Sequence, residues 1–177
     1  QHPAVHAERR VAVPAGAVSE SEERQYADEY DEVKTLGSLT GSSRRPSQTD
    51  TALFFADNAI QYWNRALRSI AGQDLTDSGD IARMFALVNM AMADSLISAW
   101  DSKVHFNFWR PITAIRNGDI DGNSATEREA TWQPIANTPM HPEYPCAHCI
   151  QSGSVAGVVK AVLGTMDIPE IATTSPT

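Results

Sequence analysis

Two cysteines, Cys146 and Cys149, are all that this 177-residue chain contains. They lie three apart with no other partners, which excludes a multi-bridge disulfide framework and leaves the redox compartment open. Basic residues are also scarce: 14 Lys and Arg stand against 22 Asp and Glu, a formal charge of −8. No basic stripe exists to release counterions from a phosphate backbone, so nucleic acid is not an expected partner. Long apolar runs are missing too. The longest, residues 84–93, is interrupted by Asn89 and closed by Asp94, too short to span a bilayer, so no membrane partner is expected. The first residues lack the apolar segment and cleavage pattern of a signal peptide. Strand-type alternation never outlasts residues 10–13, and there is no internal repeat.

What is present describes a helical protein. An apolar content of 42% with 20% charged residues is ordinary for a soluble globular chain, and the length suits one core. Residues 1–19 read as a Pro/Ala/Val tail and residues 20–177 as a single helical domain. The start at Gln1 points to processing, and to a secreted or vacuolar protein.

Ser19 followed by Glu20, Glu22 and Glu23 predicts a capped helix running to Leu36 and stopping at Gly37. Residues 50–72 predict the next helix, with Leu53, Ala56, Ile60, Trp63, Leu67 and Ile70 on one face. Asp77 or Ser78 caps a central helix over residues 80–105, whose core stripe is Ile81, Met84, Phe85, Val88, Met92 and Ile97. Pro111 suits the first turn of a short helix to Arg116. Residues 117–138 read as loop, and residues 147–163 as a last helix with small residues (Ser152, Gly153, Ser154, Ala156, Gly157) for a close approach.

The chemistry is concentrated in three side chains. Lys103 and Arg110 are seven apart, about 10 Å along a continuous helix, and long side chains close that gap onto one anion. Guanidinium grips oxygen with two prongs while ammonium adds a movable point charge. His148 follows Pro145, Cys146 and Ala147 at a helix start, where backbone N–H groups face an incoming anion. A Lys and an Arg at this spacing are more often a solvated face, so spacing alone does not decide.

These residues carry a resemblance. Lys103, six residues and then Arg110-Pro111 resemble the first motif of the vanadium-dependent haloperoxidase and type 2 phosphatidic acid phosphatase superfamily. Pro145, Cys146, Ala147 and His148 resemble its second motif, Pro-Ser-Gly-His. The stretches around residues 108–116, 121–123 and 141–145 look like the soluble haloperoxidase branch. The resemblance implies an all-α helical bundle of haloperoxidase/acid-phosphatase type. It also implies vanadate or phosphate, with sulfate as a substitute, held by Lys103 and Arg110, and His148 as the acid–base group. Cys146 and Ala147 stand at the anion where the family has Ser and Gly, a weaker donor and a narrower approach. Trp109 is the expected wall of the site.

The family's third motif, Ser-Arg, five residues and His, has no match here, so the second arginine and the nucleophilic or vanadate-bonding histidine are absent from this sequence. The bundle is therefore expected to be incomplete at the C-terminus, with Thr177 the edge of a fragment. Its partners would be an inorganic oxyanion and a C-terminal fragment of the same precursor or a second copy. The expected function is a partial phosphate/vanadate site of little or no activity, and a non-catalytic binding or storage/defence scaffold stands as the alternative.

Three other motifs are weighed and set aside. His141, Glu143, Cys146 and Cys149 contain the pieces of a zinc deaminase signature, but a single residue separates halves that belong on successive helices. Four zinc ligands within nine residues are cramped, so no zinc is expected, and a redox pair would want a βαβ context. The two thiols are read as buried and inert. Asn117, Asp119, Asp121 and Gly122 open like a calcium loop, but Arg128 stands where the bidentate Glu belongs, which leaves an acidic turn.

Overall fold

The computed structural model describes residues 19–165, 167, 171, 173 and 174, so the expected tail lies outside the described residues up to Val18. Among the described residues six helices follow in order: α1 (Glu20–Gly37), α2 (Pro46–Phe54), α3 (Ala59–Asp74), α4 (Ser78–Phe106), α5 (Pro111–Arg116) and α6 (Ala147–Leu163). Among the described residues the one strand-type feature is an isolated bridge between Ser38 and Pro134, so the chain is all-α as expected. The chain divides into two compact units. The first comprises the residues up to Arg44 with Lys103–Tyr144, and the second Arg45–Ser102 with the residues from Pro145 on.

In the first unit, Ser19 and Glu22 form a reciprocal capping box that satisfies two N–H groups at the start of α1. The loop after α5 is pinned onto α1 by polar contacts. Tyr30 Oη donates to Glu127 O at 2.7 Å with Ile115 O at 3.3 Å, and Trp132 Nε1 donates to Lys34 O at 2.9 Å. Tyr30, Ile115 and Trp132 form the small core there, with Tyr26, Ile112 and Ala114 packed on it. Burial, reinforced by the Asp121 carboxylate, pushes the Tyr30 phenol up to about 12, so it stays a proton donor.

In the second unit the predicted helix over residues 50–72 is two helices. Asn58 N donates to Asp57 Oδ1 at 2.7 Å, and Asn58 Oδ1 accepts from Ile60 N at 2.9 Å, capping α3. Short polar side chains bonding their own backbone offer an alternative to the helical ladder, which periodicity does not register. Asp57 is buried and paired with Arg65, which anchors the break. The break resets the helical phase. Ala59, Tyr62, Ala66, Leu67, Ile70 and Ala71 are buried, whereas Ile60 and Ala56 of the expected stripe face solvent. Gly72 does not end the helix, which runs two residues further.

Asp77 caps α4 as expected, accepting from Gly79 N and Asp80 N. Met84, Val88 and Met92 are buried against Leu67, Ile70, Val155 and Val159, and reciprocal amide bonds join Asn64 to Asn89. Ile97, assigned to that stripe from the sequence, is instead 69% exposed. The stretch Ser78–Arg116 is long and apolar enough to cross a membrane by length and composition, where the sequence reading found no such span. The reading counted uninterrupted runs, whereas averaged hydropathy tolerates Asn89 and Asp94. Within this stretch Met84, Val88 and Met92 are buried in the core of the second unit, while only 17% of its apolar window is buried.

Helix α6 spans the residues expected of it and ends on Gly164 at φ 73°, a left-handed cap that glycine adopts without a Cβ clash. Of its small residues, Ser152 accepts from Trp63 Nε1 and Ser154 lies 3.5 Å from Ser95 Oγ. Gly153 and Gly157 face open space and serve no close approach.

Gly118 tests the pinned loop. A Cβ there would lie 2.5 Å from Tyr30 Oη and 3.2 Å from the Glu127 carbonyl carbon. Gly118→Ala should therefore destabilise the chain by about 1–3 kcal/mol in urea unfolding. Tyr30→Phe alone should cost about 1 kcal/mol. The double variant should recover part of the sum because the hydroxyl is the closest obstacle. Simple additivity would show that the loop does not pack as described.

Candidate functional site

The two cations of the first motif do not lie on one helix. Asn107 sits at φ 46°, a left-handed conformation that Asn tolerates, and its N–H caps Lys103 O at 2.9 Å. Helix α4 stops there, and Arg110 becomes the N-cap of α5 with Pro111 in its first turn. The helix does not continue from Lys103 to Arg110, so the two-turn spacing does not apply, yet both side chains reach the same short segment, residues 141–143.

Lys103 Nζ donates to Pro142 O at 2.8 Å and to Glu143 O at 2.6 Å. Arg110 Nε donates to His141 O, and Nη1 donates to Glu143 Oε2 in an ion pair, both at 2.8 Å. Arg110 Nη2 lies against the His141 ring, 2.8 Å from Nδ1 and 3.1 Å from Nε2. Glu143 N in turn donates to Phe108 O at 3.1 Å, tethering the segment beside the Phe108–Pro111 turn.

Lys103 is 1% exposed, so its charge stands almost entirely on the oxygens around it. Burial, then the Arg110 charge, pulls its pKa below the usual lysine value, against the opposing pull of Glu143. His141 is likewise pushed down, by burial first and then by both cations, with the Pro142 carbonyl and Glu143 opposing. Arg110 is thus paired with the one carboxylate while Lys103 rests on backbone oxygens, and a neutral imidazole lies beside them. This is an environment with surplus positive charge, suited to a second anion.

From the sequence His141 and Glu143 are weighed only as pieces of a zinc signature, not as partners of Lys103 and Arg110. The available signal was position: a Pro-flanked segment directly preceding the second motif.

His148, Cys146 and Ala147 belong to the second unit. The His148 ring stacks on Tyr62 at 6.4 Å, and its Nε2 lies 3.4 Å from Asp57 O, which accepts from it in the Nε2-protonated tautomer. Cys146 is the N-cap of α6, its sulfur accepting from Cys149 N at 3.2 Å. The structure corrects the reading of two buried inert thiols. Both cysteines are exposed and joined in a disulfide, their Cα atoms 5.3 Å apart, within bridging range. Helical spacing brings the N-cap and the third residue of the first turn together, and a disulfide leaves Cys146 no S–H to donate.

Trp109 lines a cavity of about 330 Å³ in the first unit, together with Tyr26, Tyr30 and Phe108. The acidic turn is closed on itself. Asp121 accepts from Asn123 N and Thr126 Oγ1, and Asp119 lies 3.8 Å from Arg128. Among the described residues no group of three or more His, Cys, Asp and Glu side chains is arranged to hold a metal ion.

Two outcomes check this description. Alkylation of the unfolded, unreduced chain should label neither cysteine, and prior reduction should expose both by mass. Labelling without reduction would remove the bridge. For His141, the folded pKa lies below its ordinary 6.5, so the unfolded chain takes up more protons as pH falls through that value. Stability should thus fall as pH is lowered through 6.5 in denaturant titrations, and His141→Gln should flatten the drop. A variant with the full wild-type pH slope would assign the effect elsewhere.

Comparison with known proteins agrees with the motif reading. The family model described as the VCPO second helical-bundle domain matches residues 83–177. The vanadium chloroperoxidase of Curvularia inaequalis is 30% identical over 183 residues, an alignment that covers 89% of this chain and 30% of that protein. The chain thus spans less than a third of that relative's length. No solved structure matches it. With the helical-bundle match extending from α4 through both motifs and over more than half of the residues, the chain belongs to the vanadium haloperoxidase superfamily.

Proposed function

We propose that this chain is a haloperoxidase/acid-phosphatase-like protein whose Lys103 and Arg110 hold a phosphate or vanadate oxyanion. The observation that carries the reading is their convergence on residues 141–143, where Lys103 donates to the Glu143 backbone oxygen and Arg110 to the Glu143 carboxylate. An incoming oxyanion meets donors already oriented towards oxygen, and charge-assisted bonds of this kind are about twice as strong as neutral ones. His148 enters as the acid–base group through the motif of residues 145–148 alone. Vanadate, when bound, supplies the centre at which peroxide is activated for halide oxidation.

The donor set fits an oxyanion only in part. Cys146, bridged to Cys149, cannot give the hydroxyl-type bond of the family's Ser, and Ala147 replaces a Gly. The family's third motif, Ser-Arg, five residues and His, has no match in the sequence, so a second arginine and an in-line histidine would have to be supplied from outside this chain. Removing one member of a set that works as a unit generally removes most of the rate. The disulfide supports a secreted or vacuolar setting, because such bridges persist in oxidising compartments. The bonds that Lys103 and Arg110 already make to residues 141–143 favour a second reading, a non-catalytic scaffold with its cations internally satisfied.

Titration of the 177-residue chain with inorganic phosphate and with vanadate separates the two. Weak, saturable binding is expected, lost by about tenfold or more in Arg110→Ala, since a bond to a charged group contributes about 1.5–3 kcal/mol. Glu143→Gln should tighten it by removing the competing carboxylate. Assays with vanadate, peroxide and bromide, and with an aryl phosphate, should show negligible turnover. Robust turnover abolished by Arg110→Ala would refute the partial-site reading. Absence of binding in every variant would leave the scaffold.

A further inference from the structure

We infer that the cavity walled by Tyr26, Tyr30, Phe108 and Trp109, with Glu29 and Glu143 in its lining, is a binding site for a small organic ammonium ion. It lies wholly within the first unit. Helix α1 contributes Tyr26 and Tyr30 one turn apart, with Glu29 on the neighbouring position, and the turn before α5 contributes Phe108 and Trp109. Four aromatic side chains on one cavity offer π-faces that attract a cation and not an anion.

The charges in the lining point the same way. Among the described residues that line it, the groups of full charge are the Glu29 and Glu143 carboxylates, with no Lys or Arg. Glu143 is engaged by Arg110, whereas the exposed Glu29 takes a single amide bond from Gln25 at 2.8 Å, so Glu29 supplies the uncompensated negative charge. The protein already uses one of these rings for an ammonium group. Lys34 Nζ lies 5.9 Å from the Tyr30 ring centroid. Both phenols are held protonated by burial and by the field of Asp121, which marks the surroundings as electronegative. The chain's charge of −8 draws cations towards it at long range. A volume of about 330 Å³ is at the small end of ligand pockets, which suits a compact amine and excludes a peptide or cofactor.

This site takes a ligand opposite in charge to the oxyanion proposed for Lys103 and Arg110, and it stands without that proposal. The test is calorimetric titration of the full chain with choline and, separately, with its uncharged isostere 3,3-dimethylbutan-1-ol. Choline should bind saturably and the alcohol about tenfold or more weakly, the difference being the ammonium–ring and ammonium–carboxylate attraction. Glu29→Gln, a surface change with no packing consequence, should weaken choline several-fold and leave the alcohol unchanged. Trp109→Leu, verified as folded by circular dichroism, should weaken choline as well, and where it fails to fold Glu29→Gln decides. No saturable choline binding, equal affinity for the alcohol, or choline binding indifferent to Glu29→Gln would each overturn the inference.

Discussion

Lys103 carries a charge at a position almost without solvent, and residues 141–143 are what make that tolerable. An ammonium group moved from water into a protein interior loses several kcal/mol of hydration, in idealised terms about 20 kcal/mol, unless oxygens replace the water. The Pro142 and Glu143 carbonyls do so directly, and Arg110 draws the Glu143 side chain into the same cluster. The geometry of α4's end, the turn into α5 and the course of the proline-rich segment are all coupled through these bonds. Shifting any one of them would strand a buried cation.

That arrangement gives the candidate site its character. Donors are oriented by backbone that is itself held, since Glu143 N is bonded to Phe108 O and α5 starts on Arg110. Orientation of this kind lowers the reorganisation needed when an oxyanion arrives. The carboxylate of Glu143 pairs with Arg110 and so holds its guanidinium on residues 141–143. On the other unit, Cys146, at the Ser position of the second motif, is bridged to Cys149 at the start of α6. The bridge stiffens the first turn while removing a donor.

Much of the fold was legible because it depends on local patterns. The capping box of Ser19 and Glu22, the Asp77 cap, Pro111 at the first turn of α5 and both limits of α6 follow from side chains acting within one turn of the chain. The α2–α3 break was not legible, because its cause is a competition between Asp57 and Asn58 side chains and the helical ladder. Hydrophobic period alone has no view of that competition. Ile97 was misplaced for a related reason: an apolar residue at the right spacing is buried only if another element covers it.

By itself the sequence determined the all-α class, the superfamily and the identity of the two cations, since motif spacing and capping are properties of neighbouring residues. Tertiary structure alone decided that Lys103 and Arg110 meet on residues 141–143 after a left-handed break at Asn107. It also decided that Cys146 and Cys149 are bridged, and that rings from α1 and the α5 turn wall a cavity containing two carboxylates. Those outcomes depend on which distant groups satisfy a buried charge or share a wall, and energies of that kind exist only once the chain has brought them within a few ångströms.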